Sequence, residues 1–584
     1  MLARTRMIGF ALIAFGSMVH ADVPTSEVLV RQHLDYDADT IKSIFELQPF
    51  RAQTRVELRR GDAVEGVGQL INLNPEVSSW YVLSFWWAGA LDSSSYHLET
   101  AGRAVRLSVV AREHGGATLA GDGIVCDVGV GEKGGVLDTA GRSGLPYAPL
   151  CGGALYLRNP VAGHRTSLER VTDFLRDNVW GGDKLIGFVK KELYRDAFLE
   201  QGRAGSASGS GSAPSGIRGP APAALSPEAA ELRVVPEHLA LDVDTSASEL
   251  APGRWYPLRD LRDVSVSTIA PEHIERRLRL GHEASVNALD AVESRALVYL
   301  VAFDLAALDL HFVLGTDHPR LDWSDRPPAG SQDARLPGPD GIGSPAPLVM
   351  NGMVEPADID RTVATFAGGF KRSHGAFRHG VLAERNHGSH YGFIQEGVIL
   401  SKLQPGLATA LVMEDGTVDV RTWQNEDNPH LDQVRYARQN GVPLIEYDAR
   451  RKEGVPGDLV NLWGPGNWSG SANEDLRTLR AGLCLQESPQ GRFLIYAYFS
   501  AATPSAMARV FQAYHCRYAM HLDMNALEHT YLAAYLHRGE ARVVEHLVSG
   551  MEEVDRVVGR ELAPRFLSFP DDRDFFYLTR KKSR

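Results

Sequence analysis

At 584 residues the chain exceeds what one hydrophobic core serves, and its length points to roughly two to four domains. Hydrophobic residues at 44% and charged residues at 23% are the proportions of a folded globular protein and exclude a disordered chain. The 61 basic and 73 acidic residues leave a formal net charge of -12, which excludes a nonspecific nucleic-acid binder, because counterion release needs clustered Lys and Arg facing phosphates.

The N-terminus reads as a secretory signal. Arg4 and Arg6 form a basic n-region, residues 7–18 a short apolar stretch, and Val19-His20-Ala21 a signal-peptidase site, so residues 1–21 are expected to be removed and the mature chain to start at Asp22. A membrane anchor is the alternative, but the stretch falls short of the ~20 residues that a spanning helix needs. The expected location is periplasmic or secreted.

Residues 22–201 read as a mostly β N-terminal domain of unknown role. A helix is expected over residues 38–47, then strands at TRVELRR, SSWYVLSFWWAG and RAVRLSVVAR, separated by Gly, Asn and Asp turns. Thr166-Ser167-Leu168-Glu169 has the form of a capping box, with Val171, Phe174 and Leu175 following at helical spacing. Trp80, Tyr81, Trp86 and Trp87 fit either strand core or a platform for stacking sugar rings, core being the commoner use of strand aromatics. Residues 129–134, GVGEKG, match G-x-G-x-x-G, but the segment after them shows no helical periodicity, so they read as a Gly-rich hairpin rather than a dinucleotide site. No Walker, H-E-x-x-H or G-x-S-x-G signature occurs, and no cofactor is expected.

Residues 202–229 are expected to be a linker, because their tract GRAGSASGSGSAPSGIRGPAPAA has too little apolar surface to offset ordering. Residues 230–289 form a lead-in segment and residues 290–584 a C-terminal domain. The apolar run ALVYLVAFDLAALDLHFVLG is broken by Asp304, Asp309 and His311, so it reads as paired core strands and not as an integral membrane span. His374, His379, His387 and His390 crowd one Gly-rich stretch. A metal site there is weighed against solvated histidines, and the reading is that no metal is bound. Glu384 and Glu396 are candidate second carboxylates.

Near the end, residues 493–498 form an apolar strand. Thr503-Pro504 caps a helix carrying Met507, Val510, Phe511 and Tyr514, and residues 517–522 form a second strand. Strand, helix and strand imply a crossover, which sets Asp523 at a strand end, where open α/β sheets place ligands. The overall expectation is an α+β fold, with a mixed α/β C-terminal domain. The four cysteines fall as Cys126 with Cys151 and Cys484 with Cys516; as disulfides each would be worth about 3 kcal/mol, and four buried thiols are the alternative.

Several segments of the C-terminal region occur in a family-like order: LVYLVAFDLAALDLHFVLG, Thr365-Phe366-Ala367-Gly368-Gly369-Phe370-Lys371, the hairpin pair YGFIQEGVILSKLQPGLATALVMEDGTVDVRTW, Arg480-Ala481-Gly482-Leu483, and Tyr518 to Asn525, YAMHLDMN. Together they resemble the phosphodiester glycosidase family, and the Leu-Asp-Met-Asn segment with the tail SFPDDRDFFYL resembles its divergent bacterial Leu-Asp-x-Asn branch. Ala367 stands where the family has Asn, Gly482 and Leu483 are exchanged in order, and Met524 and Asn525 replace two glycines. The resemblance implies an exported hydrolase acting on a glycosyl phosphodiester of an envelope or extracellular glycan. Arg480 would bind phosphate and Asp523 serve as base or electrostatic stabiliser, with Asn525, Gly368, Gly369, Lys371 and His521 lining the substrate. The alternative is a non-catalytic glycan-binding or structural envelope protein on the same fold.

Overall fold

The computed structural model of the chain describes residues 25–37, 43–90, 93–102, 105–112, 116–128, 135–167, 169–170, 196–204, 219–245, 248–282, 284–317, 345–370, 392–462, 477–539 and 541–582. The signal segment, the 129–134 glycines, Lys371, the four clustered histidines and Glu384 lie outside these residues.

The fold is mostly β, which corrects the expected α+β class. The chain returns chiefly through hairpins and short 3-10 turns; among the described residues of the C-terminal region, one ten-residue helix, Pro504–Ala513, bridges two strands of a sheet. Apolar runs of the chain are strands buried on both faces, as in Val298–Asp304 and Thr362–Ala367.

In the N-terminal region six antiparallel strands form one sheet, ordered Ala52–Arg60, Ala63–Asn72, Trp80–Trp87, Ser93–Thr100, Leu155–Arg158 and Tyr147–Leu150. Trp80 and Tyr81 are core residues, whereas Trp86 is 41% exposed. The first described helix is Ser26–Asp37, and residues 43–47 make only a turn, closed by Ser43 and Glu46. A seven-residue helix, Val136–Arg142, does follow the glycine segment, against expectation. The strand before it, Ile124–Asp127, belongs to a small antiparallel sheet, so no βαβ nucleotide-binding unit is formed.

An eight-stranded sheet dominates the C-terminal region. Its centre is the Arg480 strand, Thr478–Ser488, which pairs antiparallel with Gly491–Ala502 on one side and with the Asp523 strand, Cys516–Met524, on the other. Those two flanking strands therefore run parallel, and Pro504–Ala513 crosses over the strand between them. The local signals for this helix are legible in the sequence: Thr503 Oγ1 accepts the Ala506 N–H at 3.2 Å and proline follows at the first helical position. Gly482 lies beneath it, where a Cβ would stand 2.8 Å from the Phe511 ring, so only glycine lets the helix seat this closely.

Two five-stranded antiparallel sheets also belong to this region; one includes Thr362–Ala367, Leu532–Arg538 and Phe575–Arg580. Tyr36, Ile44 and Trp80 share a single hydrophobic core with these C-terminal sheets. Gln48 bonds both the N–H and the carbonyl of Ile399, and Ala221 and Ala224 bond Gln486 and the Ala513 carbonyl. Disulfides join Cys126 to Cys151 and Cys484 to Cys516, a bond type that persists in oxidising compartments. Among the described residues no helix is long and apolar enough to cross a membrane.

Candidate active site

Two motif segments far apart in the chain, one ending at Phe370 and the other lying on the strand Cys516–Met524, meet at the end of the Asp523 strand. Gly368, Gly369 and Phe370 follow the strand Thr362–Ala367. The Phe370 ring stacks on His521 with centroids 4.8 Å apart. Asn440, just past the strand Val434–Gln439, ties the two together: its Oδ1 accepts the Phe370 N–H at 3.3 Å, and its Nδ2 donates to the carbonyls of His521 and Leu522 at 2.6 and 2.7 Å. Gly369 has φ +141, and a Cβ there would stand 3.0 Å from Cζ of Arg438, whose guanidinium forms a buried pair with Asp574 at 3.1 Å. Gly368 donates its N–H to the Asp574 carbonyl at 2.8 Å.

Asp523 is 5% exposed and its carboxylate is held by Arg573, whose Nη1 donates to Oδ2 at 2.8 Å; Oδ1 accepts the Met524 N–H at 2.8 Å. Arg573 has two further partners. Nε donates to Glu169 Oε1 at 2.6 Å and Nη2 meets His529 Nε2 at 2.7 Å. His529 Nδ1 lies 2.7 Å from the Met524 carbonyl, which can only accept, so Nδ1 carries the proton and Nε2 accepts from Arg573. Glu528 Oε1 stands 3.3 Å from that same Nε2. A second proton on the ring would therefore exchange the Arg573 contact for an ion pair with Glu528. His529, with 20% of its side chain exposed, is the member of this group most open to solvent.

Burial alone would lower the Arg573 pKa, but Glu169, Asp523, Asp572 and Glu528 outweigh it and hold the guanidinium more firmly protonated than usual. Glu169, Glu528 and His529 bring ligand atoms within 4.8 Å of one another, a spacing compatible with a metal ion. Two of the three already receive hydrogen bonds from Arg573, so the guanidinium is the cation of this cluster.

Arg480 is adjacent in the sheet and fully buried. Its Nε donates to the Ala502 carbonyl at 2.8 Å, and Nη1 lies 3.3 Å from His521 Nε2 and 3.4 Å from Met524 Sδ. Burial pulls its pKa down to about 9, with Glu293 opposing. His521 is fully buried, and burial together with the Arg480 charge holds its pKa well below the ordinary histidine value. Asn525 adopts φ 79, a left-handed conformation open to glycine and, among other residues, most readily to Asn. Its Oδ1 accepts from Thr478 Oγ1 at 3.0 Å and its backbone N–H reaches the Leu479 carbonyl at 2.8 Å.

The cation in direct contact with Asp523 is thus Arg573, to which sequence reasoning gave no role although the tail segment containing it was singled out. Glu169 reads in the sequence only as a capping residue, and it does cap, its Oε2 accepting the Thr166 N–H at 3.4 Å. Glu528, His529 and Asn440 carried no signal. Glu396 pairs instead with Arg435 at 2.9 Å.

No protein-family model matches the chain, and no curated protein matches it. Among solved structures it is similar to the catalytic domain of zebrafish N-acetylglucosamine-1-phosphodiester alpha-N-acetylglucosaminidase, auto-inhibited by its pro-peptide, at 10% identity over 59% of this chain and 88% of that one, with a TM-score of 0.28. A hypothetical protein from Synechocystis aligns at 9% identity over 91% of this chain and 81% of its own, with a TM-score of 0.26. At this distance the likeness carries no functional argument.

Proposed function

We propose that the chain is an exported hydrolase that cleaves a glycosyl phosphodiester in an envelope or extracellular glycan, with Asp523 as base or electrostatic stabiliser. The observation that carries this reading is the meeting of Gly368-Gly369-Phe370 with Leu522-Asp523-Met524-Asn525 through Asn440 and the stacked Phe370 and His521 rings. Water attacks the anomeric carbon and gives its proton to the Asp523 carboxylate. The bond from that carbon to the phosphate oxygen breaks, and a phosphate monoester leaves with the electron pair. Arg573 steadies Asp523 and presents a planar cation for phosphate oxygens. Arg480, bonded to Ala502 and set against His521 and Met524, supports the end of the Asp523 strand from below and adds positive charge. Gly368, Gly369, His521 and Asn525 set the surroundings of the Asp523 strand end.

The test is sugar release by the full chain from a panel of glycosyl phosphodiesters. Turnover that disappears in Asp523→Asn is the expected result, and a wild-type chain with no turnover on the panel overturns the hydrolase reading. Ala367 and Met524, which depart from the family pattern, favour a second reading as a glycan-binding protein; saturable ligand binding without any turnover would select it.

A further inference from the structure

We infer that Glu169, contributed by the N-terminal region, is a positioning residue of the Asp523 site, so that the N-terminal region completes that site instead of merely accompanying it. This rests on the reading of Asp523 and Arg573 as working groups. Three nitrogens of one guanidinium are engaged by three residues from two parts of the chain: Nε by Glu169 at 2.6 Å, Nη1 by Asp523 at 2.8 Å and Nη2 by His529 at 2.7 Å. A guanidinium is planar, and three fixed points set both its position and its tilt. Asp523 and His529 come from one strand end and the loop after it, so they share any movement of that segment. Glu169 is the anchor that does not.

Glu169 is itself held. Its Oε2 accepts the Thr166 N–H at 3.4 Å, and its own N–H bonds Thr166 Oγ1 at 3.1 Å. Just before it, the His164 N–H reaches the Pro570 carbonyl at 2.8 Å and the Asp572 N–H returns to the His164 carbonyl at 3.2 Å. Arg165 Nε adds an ion pair to Asp572 at 3.1 Å. At Gly163 a Cβ would stand 2.6 Å from the Asp572 nitrogen, so backbone lies directly on backbone. The segment that delivers Glu169 is thus sewn to the segment that carries Arg573. A second carboxylate is not needed to neutralise one arginine already paired with Asp523; what it adds is orientation.

The experiment uses the full chain and Glu169→Ala, Glu169→Gln and Glu169→Asp. Phenylglyoxal labelling of Arg573, followed by peptide mass spectrometry, needs no substrate, and Arg565, clamped by Asp571 at 2.7 and 2.9 Å, is the internal control. Glu169→Ala is expected to speed labelling of Arg573 while Arg565 is unchanged, and to lower kcat about a hundredfold, as misplacement of a catalytic group does, with little change in KM. Glu169→Asp is expected to recover part of the loss. Unchanged labelling of Arg573, equal acceleration at Arg565, or unaltered kcat would each overturn the positioning role. A wild-type chain without turnover would instead sink the hydrolase reading, and the labelling would still decide whether Glu169 holds Arg573.

Discussion

Arg573 Nη1 and Asp523 Oδ2 lie 2.8 Å apart, joining residues 50 positions distant in the chain at a point where both are only 5% exposed. Charge-assisted bonds of this kind are strong and directional, and the partnership fixes the aim of the carboxylate.

Asp523→Asn keeps the shape of the side chain and removes its capacity to take a proton. Turnover on a glycosyl phosphodiester is expected to fall about 10²- to 10⁴-fold, the usual contribution of a positioned acid or base. Arg573→Lys is expected to lose a comparable factor, because one ammonium cannot reproduce a planar fork that engages three partners. Initial-rate kinetics on the purified chain decide this, and an Asp523→Asn chain as fast as the wild type removes Asp523 from the mechanism.

Arg480 gives a prediction about a buried charge. Burial pulls its pKa below the ordinary arginine value, with Glu293 opposing, but a guanidinium keeps its proton in proteins, so the charge is present throughout the working pH range. Arg480→Met, of similar volume, is expected to alter stability by less than about 2 kcal/mol, as replacements of buried ions by apolar side chains often do, yet to lower turnover. An Arg480→Met chain with wild-type kinetics would reduce Arg480 to packing.

What could be read in advance followed from local chemistry. Thr503-Pro504 and the helical spacing after it located a helix whose signals are confined to a few neighbouring residues, and strand, helix and strand then placed Asp523 at a strand end. The class of fold differs from expectation because one strand, helix and strand crossover stands for the whole C-terminal region in the sequence, whereas the remaining strands return through hairpins; the run containing Val298–Asp304 reads as strand and is strand. Arg573 was overlooked for a different reason. In Asp571-Asp572-Arg573-Asp574 every residue is charged, and only tertiary pairing shows that Asp571 serves Arg565, Asp574 serves Arg438 and Arg573 serves Asp523. Glu169 was visible as a cap, but the partner of its other oxygen lies 404 residues away.

Gly369→Ala tests the turn that faces this site. The backbone at φ +141 is one that side-chain-bearing residues rarely adopt, and the new Cβ would meet Arg438 Cζ at 3.0 Å and Asn440 Oδ1 at 3.1 Å. Arg438 is tied to the Phe370 carbonyl at 2.7 Å and to Asp574, so it has little room to withdraw. The expected loss is about 1–3 kcal/mol of stability, measured by denaturant unfolding, with turnover reduced as well. Full stability in the alanine variant would mean that the turn can relax and that its geometry is not needed.

Glu355 supplies the last prediction, on the interface between the two regions. Burial, then the charges of Glu99, Asp358 and Glu396, raise its pKa well above the ordinary carboxylate value, with Arg435 opposing. The native chain therefore keeps a proton that the unfolded chain releases above its ordinary pKa. The contribution of this group is complete at low pH and is lost as pH rises toward the folded pKa, by up to about 1.4 kcal/mol per pH unit. His97 has the opposite sign: burial and the Arg158 charge keep it neutral, so the stability it contributes is lost as pH falls below the ordinary histidine range. Glu355→Gln keeps the shape and abolishes the titration. Urea unfolding between pH 5 and 8 should show the variant gaining on the wild type as pH rises, while the acid-side loss due to His97 stays in both. Parallel curves for the two chains would mean that Glu355 is ionised in the native state, with Arg435 already neutralising it.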